Sequence, residues 1–402
     1  MRRALLNGAL AFFVACAFPA QAASLEVSGW LPYWREATST ARALEKLDHL
    51  TEINPFVYDI KSDGTLHDYA GIDKEPWTSL LAEAKRKKVR VIPTIMWSDA
   101  AAMHRILGNY ESRVALEDEI LAEVEKYGFD GIDIDFEGKW YETRDHFSTF
   151  LKGLQMRFPK KWVMCTIEAR TPLDSRYESK PPEGAGQYAN DYRAINKYCD
   201  RVRIMAYDQG AIDLRLNRAA NQAPYVPVAD VRWVEKTIKE ALKFIPKHKI
   251  SIGVPTYGYE YRVTPLSEQG FKYERQWALN PKYAHDLIAE YGVTPQRNVA
   301  GELSFTYMPT HTAPGDQTGR PLTAFEQSQV AAVSLGAVNQ QVVGNTARVT
   351  VGGSYNIVWW SDARAIEDKI KLAKKLGVRG VSIFKIDGGE DPALWDILPK
   401  VR

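Results

Sequence analysis

Short runs rich in β-branched and aromatic residues recur along the chain. Most are followed by stretches whose apolar residues return every third or fourth position. The runs are Leu25–Pro32, Leu50–Ile60, Val89–Trp97, Phe129–Glu137, Trp162–Arg170, Arg201–Asp208, Lys249–Tyr257 and Val378–Ile386. Leu116, Ile120, Val124 and Tyr127 mark a helical face ahead of the fourth run. Val231, Val234, Ile238, Leu242 and Ile245 do so ahead of the seventh, and Ile366, Ile370 and Ala373 ahead of the eighth. Asp391-Pro392 reads as the N-cap and first position of a last short helix. Strands alternating with amphipathic helices build βα units on a parallel sheet, and eight such units predict an α/β fold, a closed (β/α)8 TIM barrel.

The spacing breaks once. The seventh and eighth runs stand about 120 residues apart, far more than a βα loop spans. Residues 259–360 have their own helical stretch, Pro281–Tyr291, and strand-like stretches at Leu303–Met308, Ala347–Val351 and Tyr355–Trp359. This predicts a small α+β insertion at the carboxyl end of strand seven, the end where such barrels carry their sites.

Composition narrows the choice of function. The chain has 402 residues, with 11 Trp, 20 Tyr and 14 Phe, more aromatic side chains than a plain core needs. Its start reads as a secretory signal: Arg2 and Arg3, an apolar stretch Ala4–Phe18 too short to span a bilayer, and Ala20-Gln21-Ala22 as a cleavage site. The expected product, residues 23–402, is secreted or periplasmic. Lipoprotein processing at Cys16 is the weaker alternative, because Phe13 stands three positions before the cysteine. Residues 1–22 hold two of the 52 Lys and Arg and none of the 50 Asp and Glu, so the remainder is formally neutral. Neutrality argues against a nucleic-acid partner, and no later apolar run is long enough for a transmembrane segment. Cys165 and Cys199 are too few for a disulfide framework or a zinc site, and their pairing stays open. The seven histidines are scattered, and no nucleophile elbow, phosphate-binding loop or dinucleotide fingerprint occurs. No metal and no cofactor is implied.

The chemistry concentrates in residues 128–137, Gly-Phe-Asp-Gly-Ile-Asp-Ile-Asp-Phe-Glu. Alternate side chains of a strand share a face, so Asp133, Asp135 and Glu137 point one way and Ile132, Ile134 and Phe136 the other. In a barrel the apolar set packs on the helices and the carboxyls stack inside, rising to the carboxyl end. Buried like charges raise one another's pKa, so some of the three are expected to hold protons at neutral pH. Glu137, nearest the mouth, is the natural proton donor.

Asp130-Gly131-Ile132-Asp133-Ile134-Asp135-Phe136-Glu137 resembles the Asp-Gly-x-Asp-x-Asp-x-Glu signature of glycoside hydrolase family 18. Met205-Ala206-Tyr207-Asp208 and Gly253-Val254-Pro255-Thr256-Tyr257-Gly258 resemble two further motifs of that family, and the insertion matches its subdomain in placement. The resemblance implies a chitinase-like enzyme cleaving N-acetylglucosamine-containing polysaccharide with retention, by substrate-assisted catalysis. Glu137 would be the general acid/base, Asp135 would hold the substrate's acetamido group, and Asp133 would share the proton of Asp135. Tyr207 would bind the acetamido carbonyl, Asp208 and Met205 would contact the sugar, and Tyr257 would line the cleft. Phe384 stands where the family commonly has Trp as the floor of the catalytic subsite. Strand three ends Pro93-Thr94-Ile95-Met96-Trp97, a pattern closer to the branch of spore-cortex and peptidoglycan N-acetylglucosaminidases.

Other aromatics converge on the predicted mouth. Trp30, Tyr33 and Trp34 end strand one, Trp97 ends strand three, and Tyr259 follows strand seven. Trp30 and Trp97 are expected to stack on sugar. Glu168 and Arg170 read as a structural salt bridge, and at least one of Trp359 and Trp360 is expected to pack the insertion onto the barrel. Two alternatives stay open beside a chitin-cleaving monomer: the same chemistry on peptidoglycan, and a non-catalytic glycan binder on the same fold.

Overall fold

The computed structural model describes residues 25–221, 223–266, 270–308 and 354–399. The expected signal segment and the strand-like stretch Ala347–Val351 lie outside the described residues.

Eight parallel strands close a barrel: β1 (Glu26–Pro32), β2 (Glu52–Ile60), β3 (Thr94–Trp97), β4 (Gly131–Phe136), β5 (Trp162–Glu168), β6 (Arg201–Met205), β7 (Ile250–Pro255) and β8 (Gly380–Phe384). Each pairs with the next, and β8 returns to β1 through Glu26↔Gly380 to Gly29↔Ile383. The third run is split. Arg90–Val91 pairs with β2 ahead of β3, and Pro93, which has no N–H to donate, falls in the break.

The helical faces are where the periodicity puts them, on Tyr110–Tyr127, Val231–Leu242 and Ala363–Leu376. Asp230 and Asp362 cap the N-termini of the last two, and Gly377, at φ +66°, ends the final one in the left-handed conformation. Their apolar stripes and the outward residues Ile132, Ile134 and Phe136 form one continuous core between barrel and helices. The last short helix starts at Leu394, later than Pro392. The Asp391 carboxylate instead accepts from the N–H groups of Ala393 and Ala363 and holds a turn.

A second, five-stranded antiparallel sheet lies between β7 and β8 in sequence. Its longest pairing, Gly258–Leu266 with Gly270–Leu279, leaves the end of β7 directly. Tyr355–Trp360 ties the two sheets' cores together by strand alternation. Trp359 packs in the barrel core and Trp360 in the insertion core, with Phe305, Tyr283 and Leu287. The buried Glu302 strengthens the junction, accepting from Trp359 Nε1 at 2.7 Å and from the N–H groups of Val228 and Ala229.

Cys165 of β5 and Cys199, just after the helix Tyr192–Tyr198, form a disulfide in this core. It closes a loop across 34 positions. Chain-entropy reasoning puts the stabilisation from such a loop at about 3–4 kcal/mol. Replacing both cysteines with Ala should lower the unfolding free energy by that order in non-reducing urea titrations. An unchanged midpoint would show that loop closure contributes nothing.

Candidate active site

The inside of the barrel is built in tiers of opposite character. At the amino-terminal end Glu26 meets Arg379 at 2.7 Å, Arg90 at 3.3 Å and Arg201 at 3.4 Å. Burial alone would push the Glu26 carboxyl up. The hydrogen bond from Arg379 and the charges of the three arginines outweigh it and hold the group below the usual carboxylate range. Above this tier Arg203 of β6, only 1% exposed, bridges Glu52 of β2 and Asp133 of β4.

The carboxyl stack stands on that bridge. Asp133 is fully buried, with Arg203 Nη1 at 2.7 Å. It also accepts from Trp30 Nε1 at 3.2 Å, Thr94 Oγ1 at 2.9 Å and Thr166 Oγ1 at 2.9 Å. Asp135, next up, is 4% exposed, and its Oδ1 is buried without a hydrogen-bond partner. Burial first, then the charges of Glu137, Asp133 and Glu168, raise its pKa well above the ordinary value, against the opposing pull of Lys139. A carboxyl so placed keeps its proton in a pH range where exposed ones have lost it.

Glu137 follows the last residue of β4 and is partly exposed. Its N–H donates to Trp97 O at 2.8 Å. The chain then turns away at Gly138, whose φ of +66° suits glycine. Glu168 holds this turn, accepting from Gly138 N–H at 3.1 Å and from Asn190 Nδ2 at 2.5 Å. The expected salt bridge between Glu168 and Arg170 is therefore replaced by separate partners. Arg170 donates to the Asn190 carbonyl and lies over the rings of Tyr188 and Tyr192.

The rest of the mouth is formed by aromatic and polar residues at the ends of β6 to β8. A Cβ on Gly253 would lie 2.9 Å from Tyr207 Cε1 and 2.7 Å from Ile204 O, so the glycine of the strand-seven motif leaves space for the Tyr207 ring. That ring stacks on Phe384, with centroids 5.5 Å apart. Asp208 sits at φ +58°, a left-handed conformation that Asp tolerates better than most side chains. Its Oδ1 accepts from Tyr257 OH at 2.5 Å and Tyr259 OH at 2.6 Å. Burial raises the Asp208 carboxyl, and the two phenols and Arg275 offset this in part.

One recess gathers these groups. Asp135, Glu137, Met205, Tyr207, Asp208, Phe384 and Trp30 line it, and Phe56 completes the wall. Tyr257 borders it through Asp208 and edge-on contact with Phe384. Trp97 does not reach it. The sugar-stacking place expected for Trp97 is corrected by strand alternation: Thr94 and Met96 face inward, so Trp97 faces out and packs edge-on against Phe136 at 5.2 Å. Trp30 does face inward, but with its indole N–H committed to Asp133.

Several residues that shape the site escaped the motif reading: Arg203, Glu52, Thr94, Thr166 and Phe56. Arg203 shares strand parity with Met205 and Tyr207. A charged residue on an inward face was the signal that could have found it.

A closed barrel with acids and aromatic rings gathered at its carboxyl end defines a class, the (β/α)8 glycosidases that work through carboxyl groups. The family model of glycosyl hydrolases family 18 matches residues 29–389, and the chain belongs to that family. It is 26% identical over 364 residues to the cortical fragment-lytic enzyme of Bacillus subtilis, covering 89% of this chain and 69% of the relative. The fold is similar to the spore cortex-lytic enzyme SleL of Bacillus cereus, with a TM-score of 0.65, 22% identity, and coverage of 93% and 73% of the two chains. It is equally similar to a chitinase of Chromobacterium violaceum, with a TM-score of 0.65, 20% identity, and coverage of 93% and 98%.

The two aromatic placements make a paired prediction. Phe384→Ala should weaken N-acetylglucosamine oligomer binding by about 1 kcal/mol, roughly fivefold, through lost stacking. Trp97→Phe should cost stability and leave the binding constant unchanged. Calorimetric titration of both variants checks this, and the reverse pattern would show that the recess has been assigned to the wrong face of the barrel.

Proposed function

We propose that this family 18 glycoside hydrolase cleaves β-1,4-linked N-acetylglucosamine glycans with retention, using the substrate's own acetamido group. The observation that carries the reading is that Asp135 and Glu137, from one face of one strand, line the same recess as Tyr207 and Asp208. Residues two apart on a strand have Cα atoms about 6.5–7 Å apart and approach a sugar from one side. Neither is placed to attack from the far face, as the nucleophile of an ordinary retaining pair must.

The acetamido oxygen then forms the bond to the anomeric carbon as Glu137 protonates the departing glycosidic oxygen. Asp135 holds the acetamido N–H, and Tyr207 sets its carbonyl. Water opens the cyclised sugar in the second step and gives its proton back to Glu137. Phe384 supplies an apolar floor.

A second reading keeps the chemistry and changes the polymer to peptidoglycan. The names of the cortex-lytic relatives favour it, as does the Pro93-Thr94-Ile95-Met96-Trp97 pattern. For location, we propose an oxidising compartment outside the cytoplasm. The amino-terminal signal pattern and the Cys165–Cys199 disulfide support this.

Purified protein incubated with chito-oligosaccharides and with peptidoglycan, and product masses recorded, separates the two polymers. Release from neither would end the reading. Glu137→Gln keeps shape but cannot protonate the leaving oxygen, so kcat should fall about 100- to 10,000-fold or more with binding largely kept. Glucan oligomers with a 2-hydroxyl in place of the acetamido group should not be cut. Ready cleavage of them would contradict acetamido participation.

A further inference from the structure

Arg203 is a guanidinium sealed inside the barrel directly beneath the acid stack. It faces two carboxylates, Glu52 and Asp133, and its Cζ lies 5.3 Å from the centre of the Trp30 ring. Glu52 is shared with Arg90 at 3.2 Å, and the tier below holds Glu26 with Arg90, Arg201 and Arg379. Above, the charged groups acting on Asp135 are Glu137, Asp133, Glu168 and Lys139. Arg203 is thus the cation in contact with the lowest member of the stack.

The partners of Asp133 settle what that contact does. Oδ2 forms an ion pair with Arg203 Nη1 at 2.7 Å and accepts from Trp30 Nε1 at 3.2 Å, and neither a guanidinium nor an indole nitrogen can accept a proton. Thr94 and Thr166 hydroxyls donate to the same oxygen at 2.9 and 3.1 Å. A proton on Oδ2 would face the guanidinium and the indole N–H, and would find an acceptor only if a threonine hydroxyl turned round. Asp135 is the opposite case, with a buried oxygen that no group contacts by hydrogen bond.

We infer that Arg203 is a positioning residue for the reaction: it holds Asp133 as a permanent carboxylate and so confines the exchangeable proton of the stack to Asp135 and Glu137. Glu52 sets the strength of that hold, because it competes with Asp133 for the same guanidinium. The inference rests on the proposed glycosidase reading for its kinetic assay. It differs from simple proton sharing between Asp133 and Asp135, since the lower carboxyl is taken out of the exchange.

The sign of each substitution follows from charge. Removing the cation with Arg203→Met favours protonated carboxyls, so a second proton enters the stack at higher pH. Asp135 then has no ionised oxygen to offer the acetamido N–H. The acid limb of the kcat/KM profile should move up by about one pH unit or more. Neutralising the competing anion with Glu52→Gln frees the guanidinium for Asp133 and should move the limb down. Arg203→Lys, which keeps the charge, should leave the limb in place.

The test is the pH profile of wild type and the three variants on the glycan that wild type cleaves, with thermal unfolding run alongside. Opposite shifts for Arg203→Met and Glu52→Gln support the inference. Lower amplitude with unmoved limbs, or shifts in the same direction, would overturn it and leave Arg203 a structural residue. If Arg203→Met does not fold, Glu52→Gln decides alone, and an unmoved limb counts against the inference. If wild type cleaves neither glycan, the glycosidase reading fails separately. The proton is then located by infrared difference spectra. The carboxylic-acid C=O band should persist unmoved in Asp133→Asn and be displaced in Asp135→Asn as the proton passes to Glu137, and a band lost in Asp133→Asn would overturn the inference.

Discussion

A carboxylate cannot be placed inside a barrel without something to meet its charge, and three on one face of one strand need three solutions. The lowest, Asp133, has a guanidinium at 2.7 Å and donors from three other strands. The middle one, Asp135, lacks such partners, and burial pushes it towards its protonated form. The highest, Glu137, stands past the end of β4, partly open to the mouth. The proposed reactivity of the stack rests on this gradient. Removing one partner of such a buried pair is costly because the other charge is left uncompensated. The ion-pair tiers below the site therefore bear on the barrel's stability and, on the inference drawn above, on its chemistry.

The rest of the recess depends on backbone space and turn geometry. Gly253 makes space for the Tyr207 ring, and the positive φ of Asp208 turns its carboxylate under two phenols. Tyr259 belongs to the first strand of the insertion, so the insertion contributes directly to that part. Trp359 and Glu302 fasten the insertion to the barrel. A sugar held between Phe384 and the acid stack would thus touch groups set by β4, β6 and β8, with the insertion behind them.

Much of this was legible in the sequence, because period-two and period-3.6 patterns report which way a side chain faces. The eight strands, the inward set Asp133, Asp135 and Glu137, and the motif residues Met205, Tyr207, Asp208 and Tyr257 all follow from parity and motif. Nearness to the strand end favours Trp97 as a sugar contact, but the alternation that puts Met96 inward puts Trp97 outward. Arg203 and Glu52 were missed for a different reason. They pair across 151 positions, and a contact between strands two and six exists only once the barrel is closed. The long hairpin Gly258–Leu279 alternates visibly in Phe271, Tyr273, Arg275 and Trp277, but it adjoins the strand-seven motif with no turn signal to set it apart.

The central claim is that the groups on one face of one strand act with the substrate's acetamido oxygen as nucleophile. The stereochemistry of the first product tests it most directly. Proton NMR recorded during the first minutes of cleavage of an N-acetylglucosamine oligomer, before mutarotation, reports the anomer released. Two successive displacements at the anomeric carbon predict the β-anomer. The α-anomer as first product would mean that water attacks directly, and would contradict the account.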